Sequence, residues 1–241
     1  MNPILQSLHD RKSVRAFTEQ PVSEEVKLAI LTAAAQAPTA GNQQLYTILD
    51  ITDQTIKERL AVLCDNQPFI ATAPVVLVFL ADCRKWYEAF RLGGCEPRKP
   101  GLGDLLLAVS DTNIASQNAV VAAESPGMGS CYIGDVMEND EGIRELLHLP
   151  EYVFPAAMLV MGYPTQQQKE RPKPERCGLK HIVHENTYRT MDAEELEAML
   201  EYKAAPRPYA EWLEAFCNRK YNSDFSKEMT RSVTAYCKQF E

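Results

Sequence analysis

"DLLLAVSDTNIASQNAVVAAE", residues 104–124, is the stretch that decides what kind of fold this chain can adopt. It contains neither proline nor glycine, and its apolar residues fall on nearly every side of a helical wheel. A helix apolar almost all round has to be buried, in a core or in an interface. Yet it carries Asp111, Asn113, Gln117 and Asn118, which need hydrogen-bond partners wherever they are covered. The chain on either side must therefore supply both apolar cover and polar partners.

Upstream, "APVVLVFLAD" (73–82) is a continuous apolar run closed by a proline and an aspartate, the pattern of a central strand covered on both faces. Downstream, "VFPAAMLVMGYP" (153–164) reads the same way. "LYTILDI" (45–51) predicts a third strand, and "GMGSCYIGD" (127–135) a glycine-rich turn with a short strand. Helices are predicted over 3–10, over "PVSEEVKLAILTAAAQAP" (21–38), from about residue 53 to 64, and over 139–148. In the second of these, Ser23 is the cap, and Glu24 and Glu25 suit the positive end. Val26, Ile30, Ala33, Ala34 and Ala37 make its buried face, and Pro38 stops it.

Residues 84–103, ending in "RLGGCEPRKPGLG" (91–103), are rich in glycine, proline and charge; they are expected to form a loop, a candidate lid or insertion. Beyond Gly178 the sequence turns amphipathic and helical, in "DAEELEAML" (192–200), "YAEWLEAF" (209–216) and "SKEMTRSVTAYCKQF" (226–240). Phe225, Met229, Val233 and Tyr236 recur there at helical spacing, so this tail is expected to pack on something. Helices alternating with strands make a mixed αβ protein.

With 241 residues and 45% hydrophobic composition, the chain can bury one large core, or a core with an extension. A net charge of −8 gives no global basic field for nucleic acid, so a local basic patch points to a small anion. No apolar run is long enough to cross a bilayer. "MNPILQSLHDRKS" (1–13) lacks the order of a secretory signal, and a cytoplasmic location is expected. The seven cysteines are odd in number and contain no CxxC, which argues against a disulfide framework or a structural zinc site. Most are expected to be buried, reduced thiols. His181 and His184 form an HxxH pair without an acidic partner motif, so they are expected on the surface rather than on a metal.

Such a local basic patch exists in "DRKSVRAF" (10–17). Arg11, Lys12, Ser13 and Arg15 offer planar forks, a point charge and a hydroxyl, a donor set suited to phosphate, with Val14 and Phe17 facing the interior. A second basic run, "KERPKPERCGLK" (169–180), holds Lys169, Arg171, Lys173, Arg176 and Lys180. "APTAGNQQ" (37–44) supplies amides able to read a heterocycle. The glycines of "GMGSCYIGD" permit close backbone approach to a ligand. No nucleophile elbow or Ser/His/Asp set is present, which suits a protein whose bound cofactor does the chemistry.

"RKSVRAF", "APTAGNQQ", "SQNAVVAAESPGMGSCYIG", "MGYP" and "RPKPER", in that order over about residues 3–178, resemble the flavin-dependent nitroreductase family. The tail, with "IVHENTY", resembles its NADPH-preferring nitroreductases and flavin reductases with extended C-termini. The resemblance implies an α+β fold, a mixed sheet flanked by helices, in an intertwined homodimer with FMN at the subunit interface. Residues 1–178 would form the FMN-binding core, and 179–241 a helical extension packing on the core or on the partner subunit. Arg11, Lys12, Ser13 and Arg15 would hold the phosphate and the ribityl or ring edge, and Lys173 and Arg176 would complete the phosphate site. Pro38, Thr39, Ala40 and Asn42 would reach the ring from the other subunit. Gln67 would read the pyrimidine side, and Tyr132, Ile133 and Gly134 would lie near flavin N5. The implied activity is ping-pong reduction of nitroaromatics, quinones or flavins with NADPH or NADH. The alternatives are another flavin reaction on this scaffold (ene-type reduction, dehydrogenation or dehalogenation) or flavin storage without turnover.

Overall fold

Strands β1 (Tyr46–Asp50), β2 (Val75–Asp82), β3 (Gly129–Ile133) and β4 (Val153–Gly162) form one sheet in the order β1-β2-β4-β3. They belong to a computed structural model that describes residues 2–241. The two continuous apolar runs, β2 and β4, take the two central places and are buried along their whole length. Side chains alternate across a strand, and here both faces are covered. Val76, Val78 and Leu80 join Leu60, Ile70 and Ile143 on one face. Val75, Leu77 and Phe79 join Ile30, Ala119 and Val120 on the other.

All ladders between the four strands are antiparallel. Among the described residues, parallel pairing is confined to the one-residue bridge Ser13–Ser130, so the mixed character of this α+β sheet resides there. The register shifts between Phe79 and Leu80, which face Ala157 and Pro155. Such a bulge is where a strand tolerates a proline.

The sheet is flanked by α1 (Pro3–Asp10), α2 (Glu24–Ala35), α3 (Gln54–Leu63), α4 (Phe69–Thr72), α5 (Arg84–Leu92), α6 (Leu102–Glu124), α7 (Asp140–Leu147) and α8 (Gln166–Glu170). Ser23 caps α2 through Val26 N–H, and Asp53 caps α3 through Ile56 N–H. Helix α6 packs α2 onto the sheet through Ala115, Ala119 and Ala123, small residues that let the helices close on one another.

Helix α5 corrects the expected loop over 84–103, of which the residues beyond Leu92 carry no further helix until Leu102. Asp82, the last residue of β2, accepts from the N–H groups of Arg84 and Lys85 at 3.1 and 3.2 Å and so starts the helix. Trp86, Tyr87 and Phe90 share one side of it. With Gln43, Leu45 and Arg98 they line a cavity of about 300 Å³. The charged residues between these aromatics hid their helical spacing.

The chain divides into two compact units, residues up to Arg171 with Glu228–Glu241, and Pro172–Lys227. The division therefore falls before residue 178, and most of α11 (Asp224–Cys237) lies in the first unit. There Tyr236 and Phe240 pack with Leu105, Ala108 and Phe154. Arg231 binds Asp140, Glu141 and Glu228 at 2.8–3.0 Å. The Arg144 guanidinium sits 4.2 Å from the Tyr236 ring centre. The second unit contains α9 (Ala193–Ala204), closed by an Asp192–Glu195 capping box, and α10 (Tyr209–Lys220), whose Trp212 and Phe216 stack at 5.1 Å.

Two further expectations change. Only Cys64, Cys83 and Cys131 are buried, while Cys95 and Cys217 are exposed, because the latter two fall outside the sheet core. Burial pushes the Cys83 thiol up to about 12, so it behaves as an apolar group. His181 is buried and His184 half-buried, where Nδ1 of His184 accepts from Arg189 N–H at 3.0 Å. No metal-binding cluster is present among the described residues.

Gly129 is held by packing. A Cβ there would lie 2.4 Å from Val14 Cγ2, and Val14 N–H donates to Ser130 O at 2.9 Å. Gly129→Ala is expected to lower stability by about 1–3 kcal/mol, read by denaturant melts. Adding Val14→Ala is expected to recover part of the loss, since it removes the methyls that clash.

Candidate functional site

The basic stretch leaves α1 and runs beside β3. Ser13 bridges Ser130, Val14 is buried at 4% exposure, and Phe17 packs against the core that holds Leu60 and Ile70. Alternation along this extended segment then puts Ser13 and Arg15 on the side opposite Val14. The Arg11 guanidinium sits 5.8 Å from the Tyr132 ring centre, and that of Arg15 6.0 Å from Phe69. Nε of Arg11 and Oγ of Ser130 are buried with no hydrogen-bond partner. Buried polar groups are almost always paired, so these two orphaned donors, on segments joined by the Ser13–Ser130 bridge, mark a candidate place for a ligand.

Lys12 has a different role. Its Nζ donates to the carbonyls of Lys169, at 2.6 Å, and Arg171, tying down the end of α8. Arg171 in turn donates to Ser13 O, and its Nε is another buried, unpartnered donor. Arg171, in the second basic run, thus reaches the first. The sequence reading chose Lys173 and Arg176, which lie in the Pro172–Lys227 unit, half-buried and exposed respectively. Nothing in a run of five cations distinguishes the one whose guanidinium bonds Ser13 O.

The amide loop is held from α6. Asp111, 4% exposed, accepts from Ala40 N–H at 3.0 Å through Oδ1 and from Leu45 N–H at 3.4 Å through Oδ2. Thr39 Oγ1 accepts from Gln44 N–H at 3.1 Å, and Gln43 O accepts from Trp86 Nε1 at 2.7 Å. Gly41, Asn42 and Gln44 take positive φ values of 57°, 56° and 48°, a tight turn that favours glycine and asparagine. Pro38 and Asn42 are left exposed, with Thr39 and Ala40 half-buried.

The same helix also holds Tyr132. Tyr132 OH meets Ser116 Oγ at 3.0 Å and Gln117 Oε1 at 3.3 Å, and burial raises its pKa, which keeps the phenol neutral. Asp111 and Ser116 are five residues apart, about 7.5 Å along the helix axis. Asn118 donates to Ala33 O at 3.2 Å, and Asn113 is exposed, so the polar residues of α6 are accounted for.

Ile133 commits its side chain to the core, and Gly134 is exposed at the start of the turn Asp135–Met137. Gln67 Nε2 donates to Cys64 O at 2.8 Å and to Asp135 Oδ2 at 3.0 Å. Glu138, 4% exposed, lies behind this turn with Oε1 unpartnered. Burial first, then the charges of Asp135, Asp65 and Glu228, push its pKa up to about 8. Ser130, Asp111, Asp135 and Arg171 are the site residues that sequence reasoning missed. Only Asp111, a carboxylate in an apolar helix, carried a signal.

Residues 8–163 match the model of the nitroreductase family. The chain belongs to that family. An FMN reductase [NAD(P)H] of Bacillus subtilis is 32% identical over 240 residues, covering 98% of this chain and 91% of the relative. An oxygen-insensitive NADPH nitroreductase of Salmonella typhimurium is 36% identical over 193 residues, covering 80% and 77%. Among solved structures, NfrA2 of B. megaterium superposes with a TM-score of 0.80 at 30% identity, covering 98% of each chain. The basic stretch, the amide loop, Gln67 and the Tyr132–Gly134 turn all lie within the matched residues.

Glu138 links this family site to pH. The folded chain keeps the Glu138 proton after the unfolded chain has released it, so stability falls as pH rises from 4.5 towards about 8. Glu138→Gln removes that linkage. Its melting temperature is expected to gain on the wild type across that window, by at least about 2 °C at the upper end, and to match it below the window.

Proposed function

We propose that this chain is an FMN-dependent NAD(P)H oxidoreductase of nitroreductase type, acting as a homodimer on nitroaromatics, quinones or flavins. The observation that carries the reading is the pair of orphaned buried donors, Arg11 Nε and Ser130 Oγ, with the Arg11 guanidinium 5.8 Å from the Tyr132 ring centre. A phosphate-bearing, flat, mostly apolar cofactor needs cations at one end, amides at the other and an apolar wall between them. The donor set here is of that kind, and FMN fits it.

In this reading Arg11, Ser13 and Arg15 hold the phosphate and ribityl end, with Arg171 bracing Ser13. Lys12 stiffens the same corner by clamping α8. Tyr132, Ile133 and Gly134 line the reacting edge and offer backbone N–H groups there. Gln67 faces the pyrimidine. Pro38, Thr39, Ala40 and Asn42 reach the ring across the dimer. FMN, when bound, supplies the chemistry of accepting a hydride from the nicotinamide and passing two electrons to an acceptor. The chain orients both reactants in turn in one pocket, shields the ring from water and places donors where negative charge develops. Solvent provides the balancing proton.

The dimer reading rests on α6 and α1. Leu102, Leu106 and Ile114 on α6 are 41–67% exposed, and Ile4, Leu5 and Leu8 on α1 are 44–64% exposed. An apolar surface of this kind on a helix that also holds the site is the surface an obligate dimer covers. No helix among the described residues is long and apolar enough to cross a membrane.

The purified protein is expected to be yellow, to lose its visible flavin absorbance on anaerobic addition of NADPH, and to regain it with an acceptor. A bound flavin that neither NADPH nor NADH reduces would leave only a storage role. Arg11→Ala with Arg15→Ala is expected to weaken FMN affinity at least about a hundredfold while the thermal transition stays cooperative. Wild-type affinity in that double variant counts against the site. Leu106→Glu with Ile114→Glu is expected to shift sedimentation from twice the chain mass to the chain mass and to release the flavin with it.

A further inference from the structure

We propose that Asp135 is a positioning residue that locks the Gln67 amide, so that only its carbonyl oxygen faces the flavin, selecting a ring with a free imide N–H. The proposal rests on the flavin reading above and adds to it a rule of ligand choice.

A glutamine amide has two N–H donors and one carbonyl acceptor. Both donors of Gln67 are engaged, one by Cys64 O at 2.8 Å and the other by Asp135 Oδ2 at 3.0 Å. Each recipient is an acceptor, a backbone carbonyl and a carboxylate oxygen. Turning the amide over would set Oε1 against two oxygens, so the hydrogen-bond network admits one orientation. The main chain is pinned as well, since Gln67 N–H donates to Ala61 O at 2.8 Å. With both hydrogens taken, Oε1 is the group left to a ligand.

The pyrimidine end of an isoalloxazine carries one N–H, at N3, between two carbonyls. An outward carbonyl oxygen attracts that N–H and repels its two neighbours, so it sets the ring's register. Asp135 follows Gly134 directly in the chain. One side chain therefore ties the turn at the reacting edge to the residue that reads the far edge. Without Asp135, only Cys64 O opposes rotation of the amide, so a second arrangement becomes less costly.

The test compares FMN with 3-methyl-FMN, which has no N3 hydrogen, by fluorescence titration of the full-length protein freed of flavin. The wild type is expected to favour FMN by about tenfold or more, the loss of one well-made hydrogen bond. Asp135→Ala is expected to narrow the ratio to about threefold or less while the thermal transition stays cooperative. Asp135→Asn, which still presents a carbonyl to Nε2, is expected to restore most of it. A ratio in folded Asp135→Ala equal to that of the wild type overturns the proposal, as does a wild type that does not discriminate. Should Asp135→Ala fail to fold, Gln67→Leu carries the same test: a wild-type ratio in that variant overturns the proposal, and a collapsed ratio supports it. A wild type that binds neither flavin overturns the flavin reading itself, which is a different result from binding both alike.

Discussion

A carboxylate in the middle of an apolar helix has to be given donors, and Asp111 takes them from the backbone of Ala40 and Leu45. That constraint orders much of the molecule. Leaving such a group unpaired costs about 1–3 kcal/mol or more, so the amide loop is drawn onto α6 and the start of β1 is set beside it. One turn further along, Ser116 and Gln117 hold the Tyr132 hydroxyl at the end of β3. Helix α6 thus backs both the amide loop and the Tyr132 hydroxyl.

Against that backing, the opposite corner is assembled by close approach. Gly129 lets Val14 come within a distance no side chain would allow, and the Ser13–Ser130 bridge then lays the basic stretch along the strand edge. Lys12 and Arg171 knit this stretch to the end of α8 through carbonyl acceptors. Arg11 Nε, Arg171 Nε and Ser130 Oγ are left there as buried donors with no internal partner. Rigid support for the surrounding atoms and unsatisfied donors at the centre are what a pre-formed anion site requires.

Local pattern made a large part of this readable. The two uninterrupted apolar runs became the central strands because both faces of the sheet are covered, and alternation divides Val75–Leu80 between two cores. Ser23 and the helix it caps lie where the spacing puts them. The basic stretch, the amide loop and the Tyr132–Gly134 turn are contiguous motifs, so each is legible by itself. Helix α5 was not, because Arg84, Lys85, Glu88 and Arg91 dilute the apolar signal of Trp86, Tyr87 and Phe90, and its cap comes from the preceding strand's Asp82. Arg171 was not distinguishable from Lys173 or Arg176, since what separates them is a hydrogen bond to Ser13, 158 residues away in sequence.

The sequence by itself determined a mixed αβ chain, the burial of β2 and β4, and the chemical kind of donor that the chain can present to a ligand. Those properties follow from hydrophobic period and residue type, which act over a few residues. Tertiary structure alone decided which donors are free. Lys12 and Arg171 bind carbonyls, Gln67 spends both hydrogens on Cys64 and Asp135, and Arg11 keeps a buried N–H unpaired. A hydrogen bond is satisfied by whatever lies within about 3 Å, and for these groups that neighbour is set by packing between distant segments.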